Sequence, residues 1–147
     1  QTHWGVHASL VAGVMTGIGG IGVAYFRWSL HIEEHLLFAV LIFLGGTTWA
    51  IFIHLAGRVL DLDEKGAGIR RIAISISVIS MVLMATLFRL AMNEHPEIET
   101  ELDLDLARTK MLFSAMFEWI LFAGFMLSMY SFRWDLTPFQ PSEPDLP

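Results

Sequence analysis

Long apolar blocks separated by short charged segments are the dominant pattern along this chain. The predicted spans are residues 6–26, 36–57, 70–92 and 111–132, to within a few residues at each end. An α-helix rises about 1.5 Å per residue, so some 20 residues cross a hydrocarbon layer of about 30 Å. Four such blocks in succession predict an all-α, polytopic transmembrane four-helix bundle over residues 1–136. The alternative, a soluble helical protein with unusually apolar core helices, would leave little polar surface for water.

Composition supports the membrane interpretation and excludes several kinds of chemistry. Of the 147 residues, 54% are apolar and only 16% are charged, whereas about a quarter of the residues in a soluble domain carry charge. Cysteine is absent, so a disulfide framework or a thiolate zinc site is impossible. The formal net charge of -6 and the lack of a basic cluster argue against nucleic acid as a partner.

Small residues within the first two spans predict close helix packing. Gly13 and Gly17 have the GxxxG spacing that places two small residues on one helix face, and Gly20 and Gly46 extend the pattern. In lipid, small residues let helix backbones approach closely and gain dispersion contacts. We therefore predict that these four glycines lie in helix interfaces.

The connecting segments predict an orientation across the membrane. Basic residues gather between the second and third spans at Arg58, Lys65, Arg70 and Arg71. The positive-inside rule places this side, together with the C-terminus, in the cytoplasm. The acidic stretch before the fourth span is predicted to be a solvated loop on the opposite side, and it lacks the ligand spacing of a calcium-binding loop. The Pro-rich residues 137–147 are predicted to be a flexible tail.

Polar residues inside the spans are the candidate functional positions. Glu118 lies about two turns inside the fourth span, where a carboxylate is costly unless it is protonated or paired. Arg89 and His35 belong to the same half of the membrane, and we predict that Glu118 pairs with Arg89 or bonds to a neighbouring hydroxyl group. Either a polar clasp between helices or a proton or ligand site would explain this arrangement, and the clasp is the favoured reading. Trp119 follows Glu118 directly and is singled out with it.

Six histidines leave two cofactor alternatives open. His7 and His54 lie near the same ends of adjacent spans, a spacing compatible with a bis-histidine haem. His31, Glu34 and His35 could hold a metal ion at helical spacing, although such residues at a membrane surface are more often simply solvated. No other residue requires a porphyrin or a metal, so we predict that the chain has no cofactor.

Two stretches of the chain resemble a known family of membrane proteins. The first is the run from Gly22 to Phe26, followed by His35, Ala39, Phe43, Gly46 and Trp49. The second runs from Phe113 to Trp119 and reads FSAMFEW, followed by Phe125, Phe132 and Asp135. Both resemble the DRAM (damage-regulated autophagy modulator), Frag and Sfk group, whose last helix carries an S-A-x-x-E-W signature.

This resemblance implies that the chain corresponds to the last four of six helices, with two helices expected upstream of Gln1. It also implies a non-catalytic modulator, acting in autophagy at the lysosome or on the phosphatidylinositol 4-kinase scaffold at the plasma membrane. The acidic loop and Arg89 depart from the usual family pattern.

The expected function is therefore that of a membrane modulator or scaffold which binds lipids or other membrane proteins. We find no nucleophile paired with a base, no phosphate-binding loop and no HExxH motif, so an enzyme is not expected. An accessory subunit of a larger membrane complex is the alternative, because such a role suits a short bundle with flexible ends.

Overall fold

The computed structural model describes residues 4–60, 63–96 and 107–136. The helices are α1 (Trp4–Tyr25), α2 (Ile32–Val59), α3 (Glu64–Glu94), α4 (Arg108–Tyr130) and the single turn α5 (Phe132–Asp135). Four of these helices are long and apolar enough to cross a membrane, with α5 continuing the fourth. The predicted all-α fold with four spans is confirmed. The predicted tail and most of the acidic loop lie outside the described residues.

The helices form two closely packed antiparallel hairpins. The first consists of α1 and α2, and the second consists of α3 and α4; α2 makes smaller contacts with α3 and α4. Antiparallel pairing in the first hairpin follows from its register, because Gly22 lies beside Phe38 whereas Thr16 lies beside Gly45. The two hairpins are thus held within themselves more tightly than they are held to each other.

Glycine residues, which have no side chain, allow α1 to approach α2 closely. A Cβ atom on Gly19 would lie only 2.7 Å from the backbone nitrogen of Ile42, and a Cβ atom on Gly45 would lie 2.8 Å from Oγ1 of Thr16. At Gly22 an added Cβ would overlap the ring of Phe38. The Thr16 hydroxyl group donates to the Ala12 carbonyl at 2.8 Å, so this polar atom is satisfied within its own helix. Close backbone approach without unpaired polar atoms is what a hydrocarbon environment requires.

The four glycines predicted to pack between helices have different surroundings. A Cβ atom on Gly13 would lie 3.3 Å from the Trp49 ring, and one on Gly46 would lie 2.6 Å from the Phe125 ring. For Gly17 and Gly20, no described atom lies within 4 Å of the added Cβ. The packing role of these two therefore stays a prediction.

Alanine, serine and glycine residues join α3 to α4. Ala73, Ser77 and Ser80 are buried on α3, and Gly124 and Ser128 are buried on α4. The Ser77 hydroxyl group occupies the space that a side chain at position 124 would need. Small residues therefore build this interface as they build the first.

Large apolar side chains point outward from both hairpins. Only 17% to 28% of the apolar window in each of the four long helices is buried within the fold. Exposed side chains include Leu10, Ile21, Leu37, Ile79 and Met126. A soluble protein would not expose so much contiguous apolar surface, since patches of this extent mark contact with a membrane or a partner. The arrangement, with small residues inside and large apolar residues outside, is that of an integral membrane protein.

Candidate functional site

A cavity of about 380 Å³ separates the two hairpins in the half of the bundle that contains the α1–α2 turn. We call it the interhairpin cavity. It is lined by Trp28, His35, Leu36, Ala39, Val40, Phe43, Met84, Ala85, Phe88, Ser114 and Glu118. One wall comes from α2, and the other comes from α3 and α4. Its size lies within the range of known small-molecule sites.

Two ionisable side chains, His35 and Glu118, face this otherwise apolar cavity. Glu118 is half-buried, and its electrostatic neighbour among the described residues is His35. The remaining lining atoms are mostly carbon, apart from the Ser114 hydroxyl group and the Trp28 indole nitrogen. The cavity is thus amphiphilic, with an imidazole and a carboxyl group set among aromatic and aliphatic side chains.

A backbone hydrogen bond fixes the orientation of the His35 ring. Nδ1 of His35 lies 2.7 Å from the Phe26 carbonyl oxygen. A carbonyl group can only accept, so Nδ1 carries the proton and donates. In the neutral ring, Nε2 is then left as a hydrogen-bond acceptor. His35 can therefore accept a hydrogen bond from a hydroxyl group, while the Glu118 carboxyl group can accept one or, when protonated, donate one.

Aromatic contacts hold this end of the cavity in place. The Trp28 ring meets His35 edge to face at 5.5 Å and meets Phe88 in the same way at 5.8 Å, so one side chain from the α1–α2 turn touches both hairpins. Near the same turn, the Phe26 ring stacks on the Phe38 ring, with the ring centroids 5.4 Å apart. Phe38 can occupy this place because position 22 is glycine.

The predicted pairing of Glu118 with Arg89 is not formed. Among the described residues, the ion pairs are Arg70–Asp135 and Lys110–Glu94. Arg89 is exposed at the end of α3, whereas Glu118 turns toward α2. Among the described residues no hydrogen bond joins Glu118 to a hydroxyl group either, and the nearby Ser114 Oγ donates to the Met84 carbonyl at 3.1 Å. The prediction is wrong because the sequence indicates how deep a residue lies in the membrane but not how its helix is rotated about its own axis.

Trp119 lies outside the cavity. Its side chain is 76% exposed, and its ring makes a tilted contact with Phe122 at 6.4 Å. Trp119 therefore faces the surroundings of the bundle, while the adjacent Glu118 faces its interior.

The two residues of the haem alternative have different surroundings, and this alternative stays a prediction. His7 is exposed on α1, whereas His54 lines a different pocket, between α2 and α3. Between the helices that carry them, Trp4 meets Phe52 edge to face at 5.6 Å. No group of three potential metal ligands occurs in the part of the chain that the structure describes.

Comparison with known proteins identifies the family. The profile of the Frag1/DRAM/Sfk1/Cwh43P N-terminal domain matches residues 2–139. The chain belongs to this family. No curated protein and no solved structure was found to match. Family membership confirms the resemblance read from the first span and from the S-A-x-x-E-W signature of the last.

In this family member a second polar site lies at the opposite end of the bundle. Nη1 of Arg70 lies 2.6 Å from Oδ2 of Asp135 and 3.3 Å from Oγ of Ser131. The other carboxylate oxygen of Asp135 accepts from the Asp63 backbone N–H at 3.1 Å. The Arg70 guanidinium group also lies over the Phe132 ring, 5.3 Å from its centre. Asp135 thereby fastens the end of the last span to the start of α3.

A sequence signal for this second site did exist, although it was incomplete. From the sequence, Arg70 is one of several basic residues that predict the orientation, and Asp135 is one of the residues that carry the family resemblance. Their separation by 65 residues hides the pairing. The start of α3 and the end of the fourth span lie at the same end of an antiparallel hairpin, so the opposite charges there are candidate partners.

Proposed function

We propose that this chain is a non-enzymatic membrane modulator that binds a neutral, hydroxyl-bearing lipid in the interhairpin cavity. The observation that carries the proposal is the placement of His35 and Glu118 together in a cavity whose other walls are apolar. A lipid has the same division, because it combines a small polar head with a long apolar body.

The head chemistry follows from the two ionisable groups. Nε2 of His35 can accept a hydrogen bond because Nδ1 is committed to the Phe26 carbonyl group. The Glu118 carboxyl group supplies a second partner on the opposite wall. A hydroxyl group can donate to Nε2 of His35 and accept from the protonated Glu118 carboxyl group, so it can satisfy both residues together. A phosphate diester group has hydrogen-bond acceptors only, so it would leave Nε2 of His35 without a donor.

The apolar body of the lipid would lie along the carbon-lined walls. Leu36 and Phe43 come from α2, and Phe88 comes from α3. The lipid would contact both hairpins. The hairpins have few direct contacts with each other, so the lipid would add to the contacts that join them. An occupant that prefers one separation of the hairpins would shift the bundle toward that separation, because a ligand moves an equilibrium by its differential affinity for the two states.

Family resemblance suggests the process that such a change would modulate. In this proposal the chain acts either in autophagy at lysosomal membranes or on the phosphatidylinositol 4-kinase scaffold at the plasma membrane, through contact with other membrane proteins. Imaging of the tagged protein at its native level of expression distinguishes the two compartments.

Lipid that co-purifies with the protein provides the test. Protein extracted in mild detergent is expected to retain a hydroxyl-bearing neutral lipid, identified by mass spectrometry after organic extraction. Ala39→Leu, which fills the cavity without removing a polar group, and Glu118→Leu, which removes the hydrogen-bonding group, are both expected to lose it. Trp119→Leu is the matched control, because it alters the neighbouring residue on the outer face. Equal retention by all four proteins would overturn the proposal.

A further inference from the structure

The structure assigns a second lipid site, for the phosphate group of an anionic lipid, to a basic pocket between α2 and α3. This basic pocket has a volume of about 240 Å³ and is lined by His54, Arg58, Ala67 and Arg71. It lies at the end of the bundle opposite His35 and Glu118, and it is independent of the neutral-lipid proposal.

The charge of the pocket is unbalanced among the described residues. Neither Arg58 nor Arg71 takes part in the ion pairs that these residues form. Two of the acidic residues nearby have other partners: Asp135 is bound to Arg70, and the Asp63 side chain accepts the backbone N–H groups of Lys65 and Gly66 at 2.8 and 3.1 Å. Two guanidinium groups therefore share a small pocket whose lining contains no carboxylate.

His54 adds a third potential donor. Its Nδ1 atom is buried and has no hydrogen-bond partner among the described residues. A buried polar atom without a partner costs free energy, so a ligand atom that satisfies it is favoured. A phosphate group offers three or more oxygen acceptors, enough for Arg58, Arg71 and a protonated Nδ1 together.

An adjoining apolar groove distinguishes a lipid from a free anion. The groove is lined by Lys65, Gly68, Ile69, Arg71, Ile72 and Trp134. Arg71 belongs to both sites, so a phosphate group held by this side chain would lie next to an apolar path. Ile72 is 59% exposed along that path, and an added Cβ on Gly68 meets no described atom within 4 Å. An acyl chain fits this surface, whereas inorganic phosphate would leave it uncovered.

The depth of the pocket also suits a lipid head group. Arg58 lies in the last turn of α2, and Arg71 lies in the second turn of α3. Both are therefore near the boundary between the apolar spans and water, where lipid phosphates lie. This is also the side predicted to be cytoplasmic, and anionic lipids give the cytoplasmic leaflet its negative surface potential.

Binding of phosphatidic acid tests the proposal directly. Purified protein in detergent is titrated with phosphatidic acid or with phosphatidylcholine, and the bound lipid is counted by native mass spectrometry. We expect phosphatidic acid to bind at least about tenfold more tightly, because each arginine near a membrane surface contributes about fivefold for an anionic lipid. Equal affinity for the two lipids would overturn the assignment.

Variants separate this pocket from general surface charge. The pair Arg58→Gln with Arg71→Gln is expected to abolish the preference, whereas Arg27→Gln with Arg89→Gln, two exposed arginines at the other end, keeps it. The pair Arg58→Lys with Arg71→Lys keeps both positive charges and is expected to retain part of the preference. Thermal unfolding of all variants checks that each is folded. Loss of preference in the Arg27 and Arg89 control alone would contradict the pocket.

Competition with inorganic phosphate decides between a lipid and a free anion. A lipid site predicts that inorganic phosphate displaces phosphatidic acid only weakly, and that Ile72→Ser weakens phosphatidic acid without affecting inorganic phosphate. Full displacement at an affinity equal to that of the lipid would mean that the groove takes no part, and it would overturn the lipid assignment.

Discussion

Arg70 and Asp135 form a buried ion pair, 2.6 Å from Nη1 to Oδ2, that joins the beginning of α3 to the end of the fourth span. The side chains are only 1% and 6% exposed. Removal of one partner from such a pair is costly because the other charge stays buried, whereas replacement of both partners by apolar groups can be neutral. The pair therefore leads to a prediction about stability.

Asp135→Asn is expected to destabilise the bundle by about 3 kcal/mol or more, since it leaves the Arg70 charge without its carboxylate. Thermal unfolding in detergent, followed by loss of helical circular dichroism, measures the effect. Arg71→Met is the control, because Arg71 follows Arg70 in sequence but makes no ion pair among the described residues. The combination of Arg70→Met with Asp135→Leu should recover much of the lost stability. An unchanged melting temperature for Asp135→Asn would contradict a structural role for the pair.

Two glycines on α1 provide a test of the first hairpin. Gly22→Ala would drive a Cβ into the Phe38 ring, and overpacking of this kind costs about 1–3 kcal/mol. Gly20→Ala meets no described atom within 4 Å and gains up to about 1 kcal/mol of helix propensity. We expect the melting temperature to fall for the first variant and to hold or rise for the second. The reverse order would mean that α1 presents a different face to α2.

The orientation across the membrane can be measured cleanly because the chain contains no cysteine. Ser29→Cys and Glu64→Cys each place one thiol at an exposed position, in the α1–α2 turn and at the start of α3. The predicted orientation leaves Cys at position 64 protected from an impermeant maleimide in intact cells and Cys at position 29 on the opposite, non-cytoplasmic side. In sealed vesicles of known sidedness, the two thiols should react from opposite faces. Reaction of both from one face would contradict the predicted crossing by α2, and exchange of the two faces would reverse the assigned orientation.

Most of the fold could be predicted from local sequence. Each nearly uncharged block is long enough to cross a membrane and appears as a helix, and the S-A-x-x-E-W signature around Glu118 pointed to the family. The sequence predicts His35 and Glu118 as candidate functional positions, and the structure brings them into one cavity.

The remaining features depend on how each helix is rotated against its neighbours. GxxxG spacing identified a face with Gly13 and Gly17, yet the closest approaches to α2 involve Gly19 and Gly22. Equal depth in the membrane predicts Arg89 as the partner of Glu118, although the Arg89 side chain is exposed. Depth can be read from the distance to a span's end, but rotation is set by packing against a second helix far away in sequence.

Photochemical labelling tests the central proposal most directly. The protein is labelled in membranes with a photoreactive diacylglycerol and, separately, with a photoreactive sterol, each with a free hydroxyl group, and the adducts are mapped by peptide mass spectrometry. For at least one probe, the account predicts adducts on the cavity-lining segments 36–43, 84–88 and 114–118 that disappear in Ala39→Leu. Adducts from both probes confined to the outer face around Trp119, and unchanged in Ala39→Leu, would contradict it.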